Sequence, residues 1–534
     1  MVKTKYIVLT DYQNYAGAQQ KVIDNLVKKL NQISFSRLGL FLAEILVIAC
    51  MISYGFSPIF TLAAIVPVIF FMILVKRQSM VQQELNYATQ LLWVYQNEIE
   101  VLTGWVNGYE NGERYINETH PYTSDLDVLG PRSLYANLNR CNTTDGLDLL
   151  AASLLRPVDK DVIEDRHLAI KELAACIGQT YHFRAELQTH RPEQIQIVKN
   201  KLQDQLPDQL KFTNNKFLAQ YVKVVPFVSI GLLITAIVLG GTIWKVVALV
   251  AVFNAALTFF NMAHINKVYY GFTGSSAQLN AFSGVIKWTE EVEWKSAYIR
   301  NLFPLEENRK INLPVSQQIK ELASIIQAFD ARLNIIVSMV LNLFLLWDLK
   351  CSIKLAHWHN RSSVSLIDGL FRISKFEELI SFATLTHNNP DWTFPIIKNH
   401  FHFSTAEMGH PLIDIHERVT NDFSLAAAPT VDIVTGSNMA GKSTFLRTVG
   451  MNMVLAFAGA PVCAKEMSLS LFRVFSYMRI KDSLNDHTST FKAELNRLKM
   501  ILDAIRGYPN SLVLIDEMLR GTNSKDKYLG SKVF

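Results

Sequence analysis

The sequence predicts an α + α/β multidomain fold. Long helices, some of them paired in membrane hairpins, lead into a C-terminal P-loop (ABC-type) α/β domain. Three observations carry that prediction. A glycine-bounded loop at 436–443 follows the β-branched run Val431-Asp432-Ile433-Val434, which reads as a short strand. A second apolar run, Ser511-Leu512-Val513-Leu514-Ile515, ends in the carboxylates Asp516 and Glu517. Four stretches, 38–54, 59–75, 224–244 and 246–262, carry almost no charge.

Residues 1–124 form the first predicted unit. Its opening 37 residues mix polar and apolar positions with Lys21, Lys28, Lys29 and Arg37, and they fit a cleavable signal peptide poorly. The runs 38–54 and 59–75 follow, joined by Gly55-Phe56-Ser57-Pro58. Each sits at the short end of what spans a bilayer, and Glu44 and Pro67 interrupt them. A helical hairpin buried in a soluble core is the competing reading. The second pair, 224–244 and 246–262 around Lys245, favours lipid, because two uncharged hairpins in one chain are harder to bury in protein. Lys28, Lys29, Arg37, Lys76 and Arg77 flank the first pair, and Lys211, Lys216, Lys223 and Lys267 flank the second. The tight connecting loops carry only Lys245. This asymmetry predicts a multi-pass membrane protein with its termini and its α/β domain on the cytoplasmic side. Glu44 and Asn254 are expected to face the bundle interior rather than membrane lipid.

Composition agrees. The mean hydropathy is +0.15, and 49% of residues are hydrophobic beside 19% charged. A net charge of +5 suits anionic partners without naming one. The five cysteines lie far apart with no C-x-x-C spacing, which argues against zinc and disulfides and for a reducing compartment.

The second predicted unit covers 125–400, with the 224–262 hairpin inserted in it. Residues 76–104 and about 150–220 are rich in Gln, Glu, Leu, Lys and Ala at helical spacing, and 271–380 continue so with breaks at Pro304 and Pro314. Trp288, Trp294, Trp347 and Trp358 read as core or membrane-interface anchors rather than a stacking platform. Pro390, Pro395 and His410-Pro411 mark the passage into the third unit, 401–534.

That unit carries the chemistry. Gly436 to Ser443 fit G-x-x-x-x-G-K-[ST], a phosphate loop. Small residues let backbone N–H groups turn inward around phosphate oxygens, and the following helix offers its positive end to the same anion. The nucleotide-binding set is Gly436, Ser437, Asn438, Met439, Ala440, Gly441, Lys442, Ser443 and Thr444. Lys442 is placed to reach the β- and γ-phosphates, and the Ser443 hydroxyl to join a Mg²⁺ shell. Asp516 then holds Mg²⁺ through water, and Glu517 polarises the attacking water. The bland alternatives are a glycine-rich turn and a solvated strand end. Found together in one unit, the two motifs predict ATP and Mg²⁺ as ligands and ATP hydrolysis as the reaction.

Several motifs are more specific. Thr435-Gly436-Ser437-Asn438-Met439-Ala440-Gly441-Lys442-Ser443-Thr444 with Arg447 resembles the phosphate loop of the MutS DNA mismatch repair family. His410-Pro411-Leu412 and Asn421-Asp422 resemble its lead-in, and Asp516-Glu517-Met518-Leu519-Arg520-Gly521-Thr522 resembles its D-E-x-x-R-G-T. Ser489-Thr490-Phe491-Lys492-Ala493-Glu494-Leu495 resembles its signature segment. Upstream, Asp125-Leu126-Asp127, 138–146, 154–157 and 163–166 resemble the start of the family's helical core. The resemblance implies a MutS-like core and a homodimer through the ATPase domains with two nucleotides sandwiched between them. It also implies that Ser489 reaches the partner's γ-phosphate as a catalytic group, and that double-stranded DNA is a partner.

Three departures accompany it. Nothing before residue 125 resembles the mismatch-reading and connector domains, and no Phe-x-Glu wedge is placed for a minor groove. The 224–262 hairpin sits near where the family's DNA clamp would emerge. The chain runs only 18 residues past Asp516, so the ATPase domain is expected to be incomplete at its C-terminus. The expectation is therefore a membrane-anchored MutS-like ATPase without a mismatch-recognition domain. The alternative is an ABC-type transporter, although Ser489-Thr490-Phe491 is not L-S-G-G-Q, or a non-DNA membrane machine driven by the same ATPase.

Overall fold

Two helices of unusual length open the chain. In this computed structural model, which describes residues 4–533 except 56–57, 189–191, 273, 304–312, 426–429, 438–439, 479–489, 509 and 520–523, the first helix runs Lys5–Tyr54 and the second Pro58–Gly104. The Thr4 side chain caps the first by accepting from the Ile7 N–H. Gly55, at φ +85°, ends it and returns its own N–H to the Met51 carbonyl, a backbone conformation that glycine adopts without a Cβ clash. The second helix passes Pro67 without a break and packs back along the first. The turn thus lies where the sequence places it. The opening 37 residues, by contrast, are one continuous helix with the apolar run. Their mixed pattern reflects a narrow buried stripe, Val8, Tyr12, Leu26 and Ile33, on an otherwise wet surface.

Among the described residues four helices are long and apolar enough to cross a membrane: Lys5–Tyr54, Ala63–Gly104, Lys216–Leu239 and Ile243–Tyr270. Their apolar windows are mostly uncovered by protein; Phe41, Leu46, Phe70, Phe227, Phe259 and Phe260 are all exposed.

The spine of the helical core is Trp347–Asn388, a 42-residue helix. It packs against Lys160–Ala175, Thr144–Leu155 and Val315–Phe329, and Leu366, Ile373, Phe376, Ile380 and Phe382 along it have no measurable exposure. Trp294 and Trp358 are buried here, and their indole N–H groups donate to the Thr289 and Gln318 carbonyls, the core reading of those tryptophans.

One buried carboxylate joins the long hairpin to this core. Glu98, on the second helix, accepts from Arg140 Nε (2.6 Å) and Nη2 (2.9 Å), from Arg184 Nη2 (2.5 Å) and from Asn388 Nδ2 (2.8 Å). Tyr12, on the first helix, donates to Asn388 Oδ1 at 3.0 Å and accepts from the Tyr181 hydroxyl at 3.1 Å. Burial by itself would raise the Glu98 carboxyl, but the Arg140 and Arg184 guanidiniums override it and hold Glu98 well below the usual carboxylate range.

The C-terminal part holds two sheets. Strands β1 (Ile396–Lys398), β2 (Phe403–Met408), β3 (Asn421–Leu425) and β4 (Glu466–Ser470) form one in the order β1-β4-β2-β3, with β1 parallel to β4 and the other pairs antiparallel. Strands β5 (Arg473–Tyr477) and β6 (Ser511–Ile515) form a parallel pair, in register from Arg473 opposite Ser511 to Tyr477 opposite Ile515. The expected strand at 431–434 does not form. These residues pair with no strand among the described residues, and Val431 is 87% exposed. A β-branched run extends into a ladder only where a neighbouring edge accepts it, and here β5 and β6 pair with each other.

Because both arginines stay buried when their partner is removed, Glu98→Ala should destabilise the full chain by about 3–5 kcal/mol, read from denaturant melts in detergent. A depressed carboxyl contributes stability that is complete above its unfolded value of 4.5 and is lost as pH falls through the folded value. Glu98→Gln should therefore flatten the acid limb of the stability–pH curve below that point.

Candidate nucleotide-binding site

The helix Lys442–Ala458 starts at Gly441, whose φ of +83° is left-handed, and no side chain caps its first turn. Its leading N–H groups are thus free of side-chain acceptors, the arrangement that receives a phosphate. Before it, the Ala440 N–H donates to the Ser437 carbonyl at 3.2 Å. The Lys442 ammonium folds over the loop and donates to the carbonyls of Gly436 (2.9 Å) and Ser437 (2.8 Å). Gly436, Ser437, Ala440, Gly441 and Thr444 are exposed. Asn438 and Met439 lie outside the described residues, as does Ser489.

The second motif meets the first. Ser443 Oγ donates to Asp516 Oδ2, across 73 residues of sequence. Asp516 stands at the end of β6, almost buried, and its N–H donates to the Tyr477 carbonyl at 2.8 Å, which continues the β5–β6 ladder by one step. The chain then turns sharply. Glu517 at φ +45° and Leu519 at φ +54° are both left-handed, so the Glu517 side chain is exposed while Leu519 is buried and its N–H donates to the Tyr477 hydroxyl. Two such residues in three positions indicate a backbone held by its surroundings rather than by preference.

This arrangement suits a nucleotide with its metal. Lys442 already accommodates oxygen atoms on its loop side, Ser443 and Asp516 set a hydroxyl beside a carboxylate at the mouth of an uncapped helix, and Glu517 lies next to them in sequence. Among the described residues no group of three or more His, Cys, Asp or Glu side chains forms a metal site on its own, so a divalent ion here needs phosphate oxygens and water to complete its shell, as Mg²⁺ ordinarily does. His410, quoted above for its Pro411 neighbour, is pushed down to about 4 by burial and by the nearby charges of Arg447 and Arg418, and it stays neutral at cellular pH.

A feature that sequence reasoning missed lies beneath the phosphate-loop helix. Residues 120–127, from the helical part of the chain, are wedged between that helix, β5 and the helix Thr490–Gly507. The Pro121 carbonyl accepts from the Ser476 N–H (3.0 Å) and from Arg497 Nη2 (2.7 Å), and the His120 carbonyl accepts from Arg497 Nη1 (2.9 Å). Asp125 Oδ2 accepts from Ser476 Oγ at 2.6 Å, and Asp127 Oδ2 pairs with Arg447 Nη1 at 2.8 Å. Leu126, between them, has no exposure and packs over Gly450. The alternation Asp125-Leu126-Asp127 was the available signal: one apolar side chain aimed inward between two acids that need cationic or hydroxyl partners.

With that geometry established, comparison with known proteins is direct. Residues 432–530 match the family model of MutS domain V. Three proteins named DNA mismatch repair protein MutS are similar to part of the chain. That of Thermotoga neapolitana is 39% identical over 120 residues, 22% of this chain and 15% of the relative. That of Natronomonas pharaonis is 38% identical over 122 residues, 22% of this chain and 14% of the relative. That of Ehrlichia chaffeensis is 33% identical over 156 residues, 29% of this chain and 19% of the relative. Each match spans less than one fifth of the relative's length. The likeness supports the MutS family at the domain V level, and that domain V segment contains both the phosphate loop and the Asp516-Glu517 turn.

Gly450 is the tightest joint in this site. A Cβ there would meet both Leu126 methyl carbons at 2.7 Å and Leu514 at 2.9 Å. Gly450→Ala should cost roughly 1–3 kcal/mol by overpacking, visible as a lower midpoint in thermal melts of the full chain.

Proposed function

We propose that this chain is a membrane-anchored, MutS-like ATPase. The contact between Ser443 and Asp516 carries the reading, because it sets the phosphate-loop helix and the acidic strand end around one pocket. ATP enters with its phosphates against the first turn of Lys442–Ala458. Lys442 leaves the Gly436 and Ser437 carbonyls for the β- and γ-phosphate oxygens and offsets their charge. Ser443, and Asp516 through water, would hold Mg²⁺, which would withdraw charge from those phosphates. Glu517 orients and polarises a water, whose oxygen bonds to the γ-phosphorus as the bond to the β-phosphate oxygen breaks, giving ADP and phosphate. The nucleotide-binding set 436–444 offers its backbone N–H groups to the phosphate oxygens.

The cycle works in a homodimer, with Ser489 of each copy approaching the nucleotide of the other, as the resemblance to the signature segment suggests. The four long apolar helices anchor the assembly in a bilayer, and the Lys and Arg flanks support an ATPase on the cytoplasmic side. The similar proteins are named for DNA mismatch repair, and double-stranded DNA is the partner proposed for this chain. An ABC-type transporter is the second reading, favoured by the same four helices.

In nanodisc-embedded protein, Glu517→Gln should lower ATP turnover by about 10²-fold or more while ATP binding persists, and Lys442→Ala should lose binding itself. A Glu517→Gln protein that turns over at the parental rate removes that residue from the role. If DNA is held through phosphates, duplex affinity should fall with salt at a log–log slope of about −0.9 per phosphate contact; a flat response discards the DNA partner, and ATP-dependent solute flux in proteoliposomes would replace it with transport.

A further inference from the structure

Residues 333–347, between Arg332 and Asp348, contain no charge: Leu333-Asn334-Ile335-Ile336-Val337-Ser338-Met339-Val340-Leu341-Asn342-Leu343-Phe344-Leu345-Leu346-Trp347. Most of them form the helix Ile335–Leu345, started by Asn334, whose side-chain oxygen accepts from the Ile336 and Val337 N–H groups at 3.1 Å. This helix breaks away at 112° from the segment before it. One face is bare: Leu333, Ile335, Ile336 and Met339 are 71%, 82%, 76% and 63% exposed. The other face packs on both helices of the apolar hairpin, Lys216–Leu239 and Ile243–Tyr270.

The contact with that hairpin is made by a polar group inside apolar surroundings. Asn254 has no exposure. Its amide nitrogen donates to the Leu343 carbonyl at 2.8 Å, and its oxygen accepts from the Tyr221 hydroxyl at 2.9 Å. Leu343 is in the last turn of its helix, where carbonyls lose their intrahelical partners, and such a group needs a partner most where water is absent. The two ends of the segment are also tied together. Arg332 Nε pairs with Asp348 Oδ2 at 3.0 Å, and Trp347 Nε1 donates to the Ala328 carbonyl at 2.7 Å. Arg332 Nη2 donates to Asn266 at 2.7 Å, which lies about 18 Å along the hairpin helix from Asn254 at 1.5 Å per residue. Leu346, at φ +47°, turns the chain back into the core spine.

We infer that residues 333–347 enter the bilayer beside the 216–270 hairpin as a re-entrant half-helix, leaving on the side they entered. An 11-residue helix is about 16 Å long, half of the roughly 30 Å hydrocarbon core, so it dips rather than spans. The occupant of the bare face is lipid. That face continues the exposed apolar surface of the hairpin, charge is confined to its two ends, and Trp347 marks the boundary where indoles prefer to lie. The inference rests on the membrane reading of the hairpin, and it adds lipid contact at the root of the Trp347–Asn388 spine.

The test uses the unmodified full chain in nanodiscs containing a phosphatidylcholine with a diazirine on its acyl chain. After irradiation and trypsin digestion, adducts are mapped by mass spectrometry. The peptide 333–350 should be labelled like the hairpin peptides 224–245 and 246–267, and roughly tenfold above the core peptide 172–184, because the carbene forms only within the hydrocarbon layer. Labelled hairpin peptides with 333–350 at the core level would overturn the half-helix and leave the anchor standing. Hairpin peptides at the core level would overturn the anchor as well.

Discussion

A single carboxylate inside the helical core sets how this chain is put together. Glu98 belongs to a helix whose other end is apolar and uncovered, and its partners Arg140, Arg184 and Asn388 belong to three other segments. Three cationic or amide groups this far from solvent require one anion among them. That requirement settles the rotation and depth of the Pro58–Gly104 helix, and the first helix follows it through Tyr12, which bonds the same Asn388. The long hairpin is therefore a rigid extension of the core, not a tether on a loose stalk.

A comparable joint lies at the other end of the core. Leu126 fills the space that Gly450 leaves open, flanked by the Asp127–Arg447 pair and the Asp125–Ser476 bond. Arg447 is one helical turn beyond Ser443, so the group that meets Asp516 and the group that meets the core share one short rigid segment. Any rotation of that helix moves Asp127 with it, since Leu126 already fills the space beside Gly450.

How much of this was legible beforehand follows from where the information resides. The phosphate loop, the Asp516-Glu517 end of β6 and the apolar hairpins are local: each is a few consecutive residues whose chemistry identifies them. The strand at 431–434 was misread because β-branching records a preference, while a strand also needs an edge to pair with. The first 37 residues were hard to read because a helix packed chiefly along one neighbour buries only four residues there and leaves most of its surface free of an apolar period. The short helix 335–345 was absorbed into a general helical region, since an uncharged helix of eleven residues is too short to announce a span, and the sharp bend and the Asn254 bond across 89 residues that distinguish it are three-dimensional. Residues 120–127 gave the faintest signal, three alternating side chains whose partners lie more than 300 positions away.

These joints form one mechanical series. Asp516 touches Ser443; Arg447, on the same helix, holds Asp127; the chain from Asp127 reaches Arg140 within 13 residues, and Arg140 grips Glu98 on the long hairpin. From Glu98 the bond to Asn388 leads down the Trp347–Asn388 spine to Asp348, Arg332 and the half-helix. The Glu98 and Asp348 links are buried and the Asp127–Arg447 pair is partly exposed on its Asp127 side; charged and hydrogen-bonded contacts of this kind break in discrete steps rather than stretch. A change at the phosphate loop thus has two rigid routes toward apolar surface, one along the first hairpin and one along the spine. Because those routes are stiff, a displacement at the phosphate loop reaches the exposed apolar helices instead of being absorbed on the way.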